Sequence, residues 1–115
     1  MQKIEKLKEN RDFRRLYYHG KSCVNPYFVL YLMKGRTKKT RIGITAGKAL
    51  GGAVERNRAK RVITAAFRSL MDNISPGYDF VIVARTRILK EKSTKIAQIM
   101  EGQFKNVGIW CEKAD

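Results

Sequence analysis

The side chains best equipped for chemistry in this sequence are cations, and they are crowded. Of 25 Lys and Arg residues, eleven lie between residues 34 and 68, where Glu55 is the single acid; the whole chain carries a net charge of +15. The densest stretch is Lys48–Arg68, KALGGAVERNRAKRVITAAFR, which passes from a Gly-Gly turn into a segment of helical period. At roughly 100° per residue, Ala59, Val62, Ile63, Ala66, Phe67 and Leu70 share one arc, the stripe that a helix buries. Asn57, Arg61, Thr64 and Arg68 take the opposite arc, with Arg58 and Lys60 on its flanks. Stability alone does not favour this placement. Arg56 and Arg58 sit in the first turn, where the helix dipole penalises cations by about 0.3–1 kcal/mol each. Arg56 and Lys60 also repel at i,i+4, by roughly a few tenths more. A polyanion laid on this face turns both penalties into attraction, and the free N–H groups of the first turn add phosphate donors. Lys48, beside the flexible Gly51-Gly52, extends the surface into the preceding loop. The competing reading is a solubilising surface, but solubility does not require one sign of charge to be gathered in one place. Clustering of this kind is the footprint of a nucleic-acid binder.

Residues for protein-based catalysis do not assemble. The one histidine, His19, reads as an exposed cation ending the first helix. The acids stand singly along the chain, without the carboxylate cluster that would hold two metal ions. Gly43, Gly47, Gly51 and Gly52 lack the spacing of a phosphate loop or a dinucleotide fingerprint. Cys23 and Cys111 are too few and too far apart for a disulfide framework or a zinc site, and read as thiols in a reducing compartment. The pattern is that of a binding module, with no catalytic residue and no metal site of its own.

A second candidate surface is aromatic. Phe13 and Tyr17 lie four apart on a helical segment, and Val29 and Tyr31 occupy alternate positions of a strand. If that helix crosses the sheet, the four would line a groove suited to stacking single-stranded bases. The spacing alone favours ordinary core packing for them.

The elements that must position these residues follow from pattern. At 115 residues and 43% hydrophobic content the chain reads as one domain, residues 1–115, able to bury a modest core. Asn10 is the expected N-cap of a helix carrying Phe13, Leu16 and Tyr17, with Gly20 as its stop. Asn25-Pro26 precedes a strand, YFVLYLM, with Tyr27, Val29 and Tyr31 on one face and Phe28, Leu30 and Leu32 on the other. A polar connection, GRTKKT, leads into a second strand, Arg41–Ala46, and the pair is expected to form an antiparallel hairpin. The basic helix spans about Ala53–Met71. Tyr78–Ala84 is a nearly continuous apolar strand, central and buried on both faces. Ile96, Ile99, Met100, Phe104 and Val107 mark a last helix interrupted in pattern by Gly102, after which Trp110 packs back on the core. The expected class is α+β, helices covering a sheet. The longest apolar run, Tyr27–Met33, is far short of the roughly 20 residues of a membrane span. The N-terminus has no apolar core of a signal peptide, and a cytoplasmic protein is expected.

Residues 41–68 closely resemble the signature of the bacterial ribonuclease P protein family: a strand, a lysine-containing loop, G-x-A-V, R-N-R-x-K-R and F-R. The matching residues are Gly51, Ala53, Val54, Arg56, Asn57, Arg58, Lys60, Arg61, Phe67 and Arg68. Asp12-Phe13 and Gly20-Lys21-Ser22 resemble the family's first helix and its exit, YFVLYL its aromatic strand, and GYDFVIVAR its late strand, so the likeness runs from about residue 7 to residue 85. It implies a two-layer α/β sandwich like the second domain of ribosomal protein S5, with a left-handed βαβ crossover that ordinary handedness rules would not predict. It further implies an accessory subunit of a ribonucleoprotein endoribonuclease that removes the 5′ leader of precursor tRNA. In that family magnesium ions held by the RNA carry the hydrolysis, and the protein alone binds no cofactor. The resemblance assigns Lys48, Arg56, Asn57, Arg58, Lys60, Arg61 and Arg68 to the catalytic RNA, and places Phe13, Tyr17, Val29 and Tyr31 on a cleft for the leader. Its implied partners are the catalytic RNA and precursor tRNA, with no membrane and no protein partner required. Ala49, Gly52 and Thr64 depart from residues common in the family (lysine, asparagine and arginine). They remove two charges and a cap from the RNA-facing region, so a weaker or differently salt-sensitive interaction is expected. The alternative is a structural RNA-binding protein of ribosomal type with the same fold.

Overall fold

The computed structural model describes residues 4–112. Five strands form one sheet in the order β1-β4-β5-β3-β2: β1 Ile4–Lys6, β2 Lys21–Val24, β3 Phe28–Lys34, β4 Thr40–Thr45 and β5 Tyr78–Ala84. Three helices accompany them: α1 Asn10–His19, α2 Ala53–Leu70 and α3 Ser93–Asn106. The α+β class expected from the sequence is the one observed.

The expected hairpin does not form. β3 and β4 are successive in sequence, yet β5 lies between them, antiparallel to β3 and parallel to β4. The short polar connection has the look of a hairpin turn, but the strand with the most apolar sequence takes the centre of the sheet, where both of its faces are covered. Phe80 and Ile82 then face one side and Asp79 and Val81 the other, all four buried. Two edge strands escape sequence pattern. β1 is three residues within a charged segment, and β2, KSCV, is largely exposed, so neither shows an apolar alternation.

The two faces of the sheet are unequal. On one face Phe28, Leu30, Leu32, Ile42, Phe80 and Ile82 meet α2 and α3 in the main core. The stripe read from the sequence of α2, Ala59 to Leu70, is the set of residues that helix buries. α3 runs unbroken through Gly102, burying Ile96, Met100 and Phe104. Trp110 returns to the core and bridges to Ile74. On the other face α1 stands alone over a small cluster of Leu7, Leu16 and Val81 with Phe13, Tyr31, Met33 and Val83. Gly43 makes this close approach possible, because a Cβ there would lie 2.5 Å from the Phe13 ring. Tyr27 departs from its expected face. It precedes β3, packs on the main core, and lies within 6.0 Å of the Arg87 guanidinium and 5.5 Å of the Lys95 ammonium.

The ends of α1 also differ from expectation. Asn10 is the first helical residue and Glu9 takes the cap position, with no side-chain hydrogen bond. Gly20 ends the helix as predicted, but in extended backbone that continues directly into β2.

Candidate nucleic-acid interface

The basic surface begins in a tight loop. Leu50 is buried and anchors the turn Lys48–Leu50, and Gly51 follows at φ 121°, a conformation that favours glycine. Gly52 then caps α2 with backbone alone, because no side chain bonds to the first turn. The opening N–H groups of the helix are left for an outside acceptor.

From there the cations fan to both sides of α2. Arg56 folds back, its Nε donating to the Gly52 carbonyl at 3.4 Å. Arg58 crosses to the segment before α3, donating to the carbonyls of Leu89 (2.9 Å) and Glu91 (3.3 Å). Arg61 lies beside Ser93 and Thr94 on the same flank, whereas Lys60 and Arg68 lie on the opposite flank, toward β4. Lys48, Asn57, Arg58, Lys60, Arg61 and Arg68 are exposed and Arg56 is half-buried. Among the described residues none of these six cations forms an ion pair; the pairs belong to other Lys and Arg residues. The segment between β5 and α3 adds Arg85, Arg87, Lys90 and Lys92, all exposed, with its Thr86–Lys90 turn against the Lys48–Leu50 turn. Four cations in these eight residues are the signal that the sequence offers for this part of the surface.

The aromatic residues are brought together only in part. Tyr17 and Tyr31 meet edge to face, with ring centroids 5.0 Å apart, and the Tyr17 hydroxyl lies 3.4 Å from the Thr45 Oγ1. Phe13 and Tyr17 line a groove of about 540 Å³ with Asn10, Arg14 and Thr45. Tyr31 reaches that groove only through its contact with Tyr17. Val29 sits farther along β3, paired with Val83, and does not line it. Core packing and surface presentation are both realised here. Phe13 and Tyr31 pack on the small cluster under α1, while Tyr17 remains 40% exposed.

A buried charge cluster sets how α1 lies on the sheet. Asp79, fully buried in β5, accepts from Arg41 Nε (2.9 Å) and Nη2 (2.7 Å) and from Arg15 Nη2 (2.6 Å). Asp12 of α1 stands 3.7 Å from Arg15 and 3.6 Å from Arg41. The hydrogen bonds to Asp79 push the Arg41 guanidinium further above its already high pKa. A two-pronged contact of this kind fixes direction as well as distance. It ties α1, β4 and β5 together. A carboxylate inside an apolar central strand was visible in the sequence; its partners, 38 and 64 residues away, were not.

Among the described residues no group of three or more His, Cys, Asp and Glu could hold a metal ion, so the side chains present do not fit a protein-held magnesium site. His19 is exposed at the end of α1. No helix is long and apolar enough to cross a membrane.

Comparison with known proteins agrees with this geometry. The family model Ribonuclease P matches residues 1–108. The chain is 35% identical to a ribonuclease P protein component from Caldanaerobacter subterraneus over 112 residues, covering 97% of each chain. It is 46% identical to one from Clostridioides difficile over 80 residues, covering 69% of this chain and 70% of the relative. Among solved structures, the ribonuclease P protein of Staphylococcus aureus superposes with a TM-score of 0.80 at 31% identity, covering 94% of this chain and 99% of its own. That of Thermotoga maritima gives 0.77 at 28% identity, covering 89% and 96%.

Proposed function

This chain belongs to the ribonuclease P protein family, and we propose that it serves that enzyme through two separate surfaces, α2 for the catalytic RNA and the α1 groove for the leader of precursor tRNA. It is the protein component of a bacterial-type ribonuclease P, a ribonucleoprotein endoribonuclease of tRNA 5′ processing in which the RNA performs the catalysis. The observation that carries the assignment of α2 is its unneutralised charge. Lys48, Arg56, Arg58, Lys60, Arg61 and Arg68 run from a helix start without a side-chain cap to the helix's last turn, and among the described residues none of them forms an ion pair. Phosphates of a folded RNA would supply that neutralisation and release counterions as they do so.

The groove suits a different ligand. Tyr17 and Phe13 offer ring surface beside Arg14 and the Thr45 hydroxyl, a combination that stacks unpaired bases and holds one backbone charge. The 5′ leader is the unpaired strand that this reaction presents. Tyr31 supports Tyr17 from the sheet. In this reading magnesium belongs to the RNA, and no step passes through a metal on the protein.

Reconstitution tests the assignment. Added to a bacterial ribonuclease P RNA at low magnesium, the protein should stimulate cleavage of precursor tRNA, and the protein alone should cut nothing. Failure to stimulate across a salt and magnesium series would rule it out.

A further inference from the structure

A cavity of about 340 Å³ opens where the sheet runs out of strands. β1 pairs with β4 only from Thr40 to Ile42, and the last link is the Leu7 N–H donating to the Ile42 carbonyl at 3.0 Å. The chain then leaves for α1, so no described segment covers that side of β4 from Gly43 onward. In a strand each residue directs its N–H and C=O to one edge, and alternate residues share that edge. Ile42 faces β1, so Ile44 presents its donor and acceptor to the open edge, in the cavity that it lines.

The walls of this space are apolar: Leu7 and Phe13 from the α1 side, Ile44 and Phe67 from the α2 side. Thr64 adds a short wall. The rim carries Lys6, Lys60 and Arg68, no acid lines the cavity, and none of the three cations has an ion-pair partner among the described residues. The volume falls at the lower end of the roughly 300–1,000 Å³ usual for ligand sites. An aromatic slot with an adjacent donor and acceptor, under three cations, matches one unstacked nucleotide: a flat base, a hydrogen-bonding edge and a phosphate. Phe13 lines both this cavity and the α1 groove, so the two spaces share a wall.

We propose that the uncovered edge of β4 holds one unstacked nucleotide of the precursor tRNA leader, its base beside Phe13 and against the backbone of Ile44, its phosphate under Lys6, Lys60 and Arg68. The proposal rests on the reading of the α1 groove as the leader's path, and carries that path around Phe13 to the basic flank of α2.

The test uses the reconstituted holoenzyme and precursor tRNAs with a single abasic nucleotide moved along the leader. With wild-type protein, one leader position should lose roughly tenfold in affinity through the β4 cavity, the size of a single stacking contact. Thr64→Phe, which fills the slot, should abolish the sensitivity of that position, while Tyr31→Ala should alter the sensitivity of a different one. If Thr64→Phe leaves every position as sensitive as before while Tyr31→Ala still acts, the cavity proposal is overturned and the groove reading stands. If Tyr31→Ala changes nothing either, the groove reading fails and takes the proposal with it. Coupling of Thr64→Phe to abasic sites in the catalytic RNA instead of the leader also overturns it. Should circular dichroism show that Thr64→Phe does not fold, Lys6→Glu at the exposed edge strand replaces it. That variant should weaken full leaders several-fold more than leaders cut short of the sensitive position, and equal weakening of both counts against the site.

Discussion

Two regions of this small protein treat positive charge in opposite ways. Under α1, Arg15 and Arg41 are sunk against a fully buried Asp79, and each cation is answered by a carboxylate within 2.7 Å. Along α2 the cations form no ion pair among the described residues, and Arg56 stands in the first turn, where the helix dipole opposes it. The first arrangement costs desolvation and returns a fixed geometry; the second costs self-repulsion that a polyanion would offset. Charge that the fold uses is neutralised inside the fold, and charge kept for a partner is left open. The pairing pattern therefore separates structural arginines from functional ones more cleanly than their positions in sequence do.

The largest expected effect comes from breaking the buried side of this comparison. Asp79→Ala leaves Arg15 and Arg41 with only their longer contacts to Asp12, which should destabilise the fold by about 3–5 kcal/mol. Urea unfolding followed by circular dichroism measures this. Conditions in which the variant remains folded should show leader discrimination lost, because α1 no longer holds Tyr17 over Tyr31, while affinity for the catalytic RNA persists. A variant with unchanged stability and weakened RNA affinity would mean that Asp79 serves the α2 surface, and the division drawn here would be wrong.

Next in size is the groove. Tyr31→Ala removes the ring that supports Tyr17 and should reduce the preference for precursor over mature tRNA by about 1–3 kcal/mol, the range of a stacking contact. The loss should hardly vary with salt, because no ion is removed. Arg61→Ala should do the reverse. It should lower affinity for precursor and mature tRNA complexes alike and reduce the slope of log affinity against log salt by about 0.7–0.9. Arg58→Ala should share that slope change and also lose a little stability, because its guanidinium holds two carbonyls ahead of α3. Titrations at four or five salt concentrations distinguish the two phenotypes, and the same phenotype for Tyr31→Ala and Arg61→Ala would collapse the two surfaces into one.

The sequence disclosed these regions unequally, for physical reasons. The buried stripe of α2 was legible to the residue because one helix face meets one core, and periodicity records that directly. β5 was legible as central because seven nearly continuous apolar residues have no exposed face to supply. What sequence could not disclose was long-range choice. The insertion of β5 between β3 and β4, and the partners of Asp79, depend on residues distant in the chain. β1 and β2 were invisible because edge strands need no apolar alternation. Tyr27 was placed on the wrong face because it stands before β3, outside the alternation that sorts Val29 from Leu30. Of the groove residues, Phe13 and Tyr17 were found by helical spacing, but Arg14 and Thr45 have side chains that signal nothing until α1 is laid on the sheet.

The smallest expected effect sharpens the comparison from outside it. Cys23 lies on β2, away from both surfaces, and burial raises its thiol pKa, with Lys21 partly opposing the shift. The folded state therefore holds that proton more tightly than the unfolded chain does. Stability from this source is complete below the unfolded thiol pKa, about 8.5, and falls as pH rises above it, because the unfolded chain gives up the proton first. In a Cys111→Ser background, alkylation of Cys23 should require higher pH in buffer than in urea. Leader discrimination and the salt slope should both stay at wild-type values after Cys23→Ala. A change in either would show that the β2 edge communicates with one of the surfaces, and which of the two readouts moves would say which one.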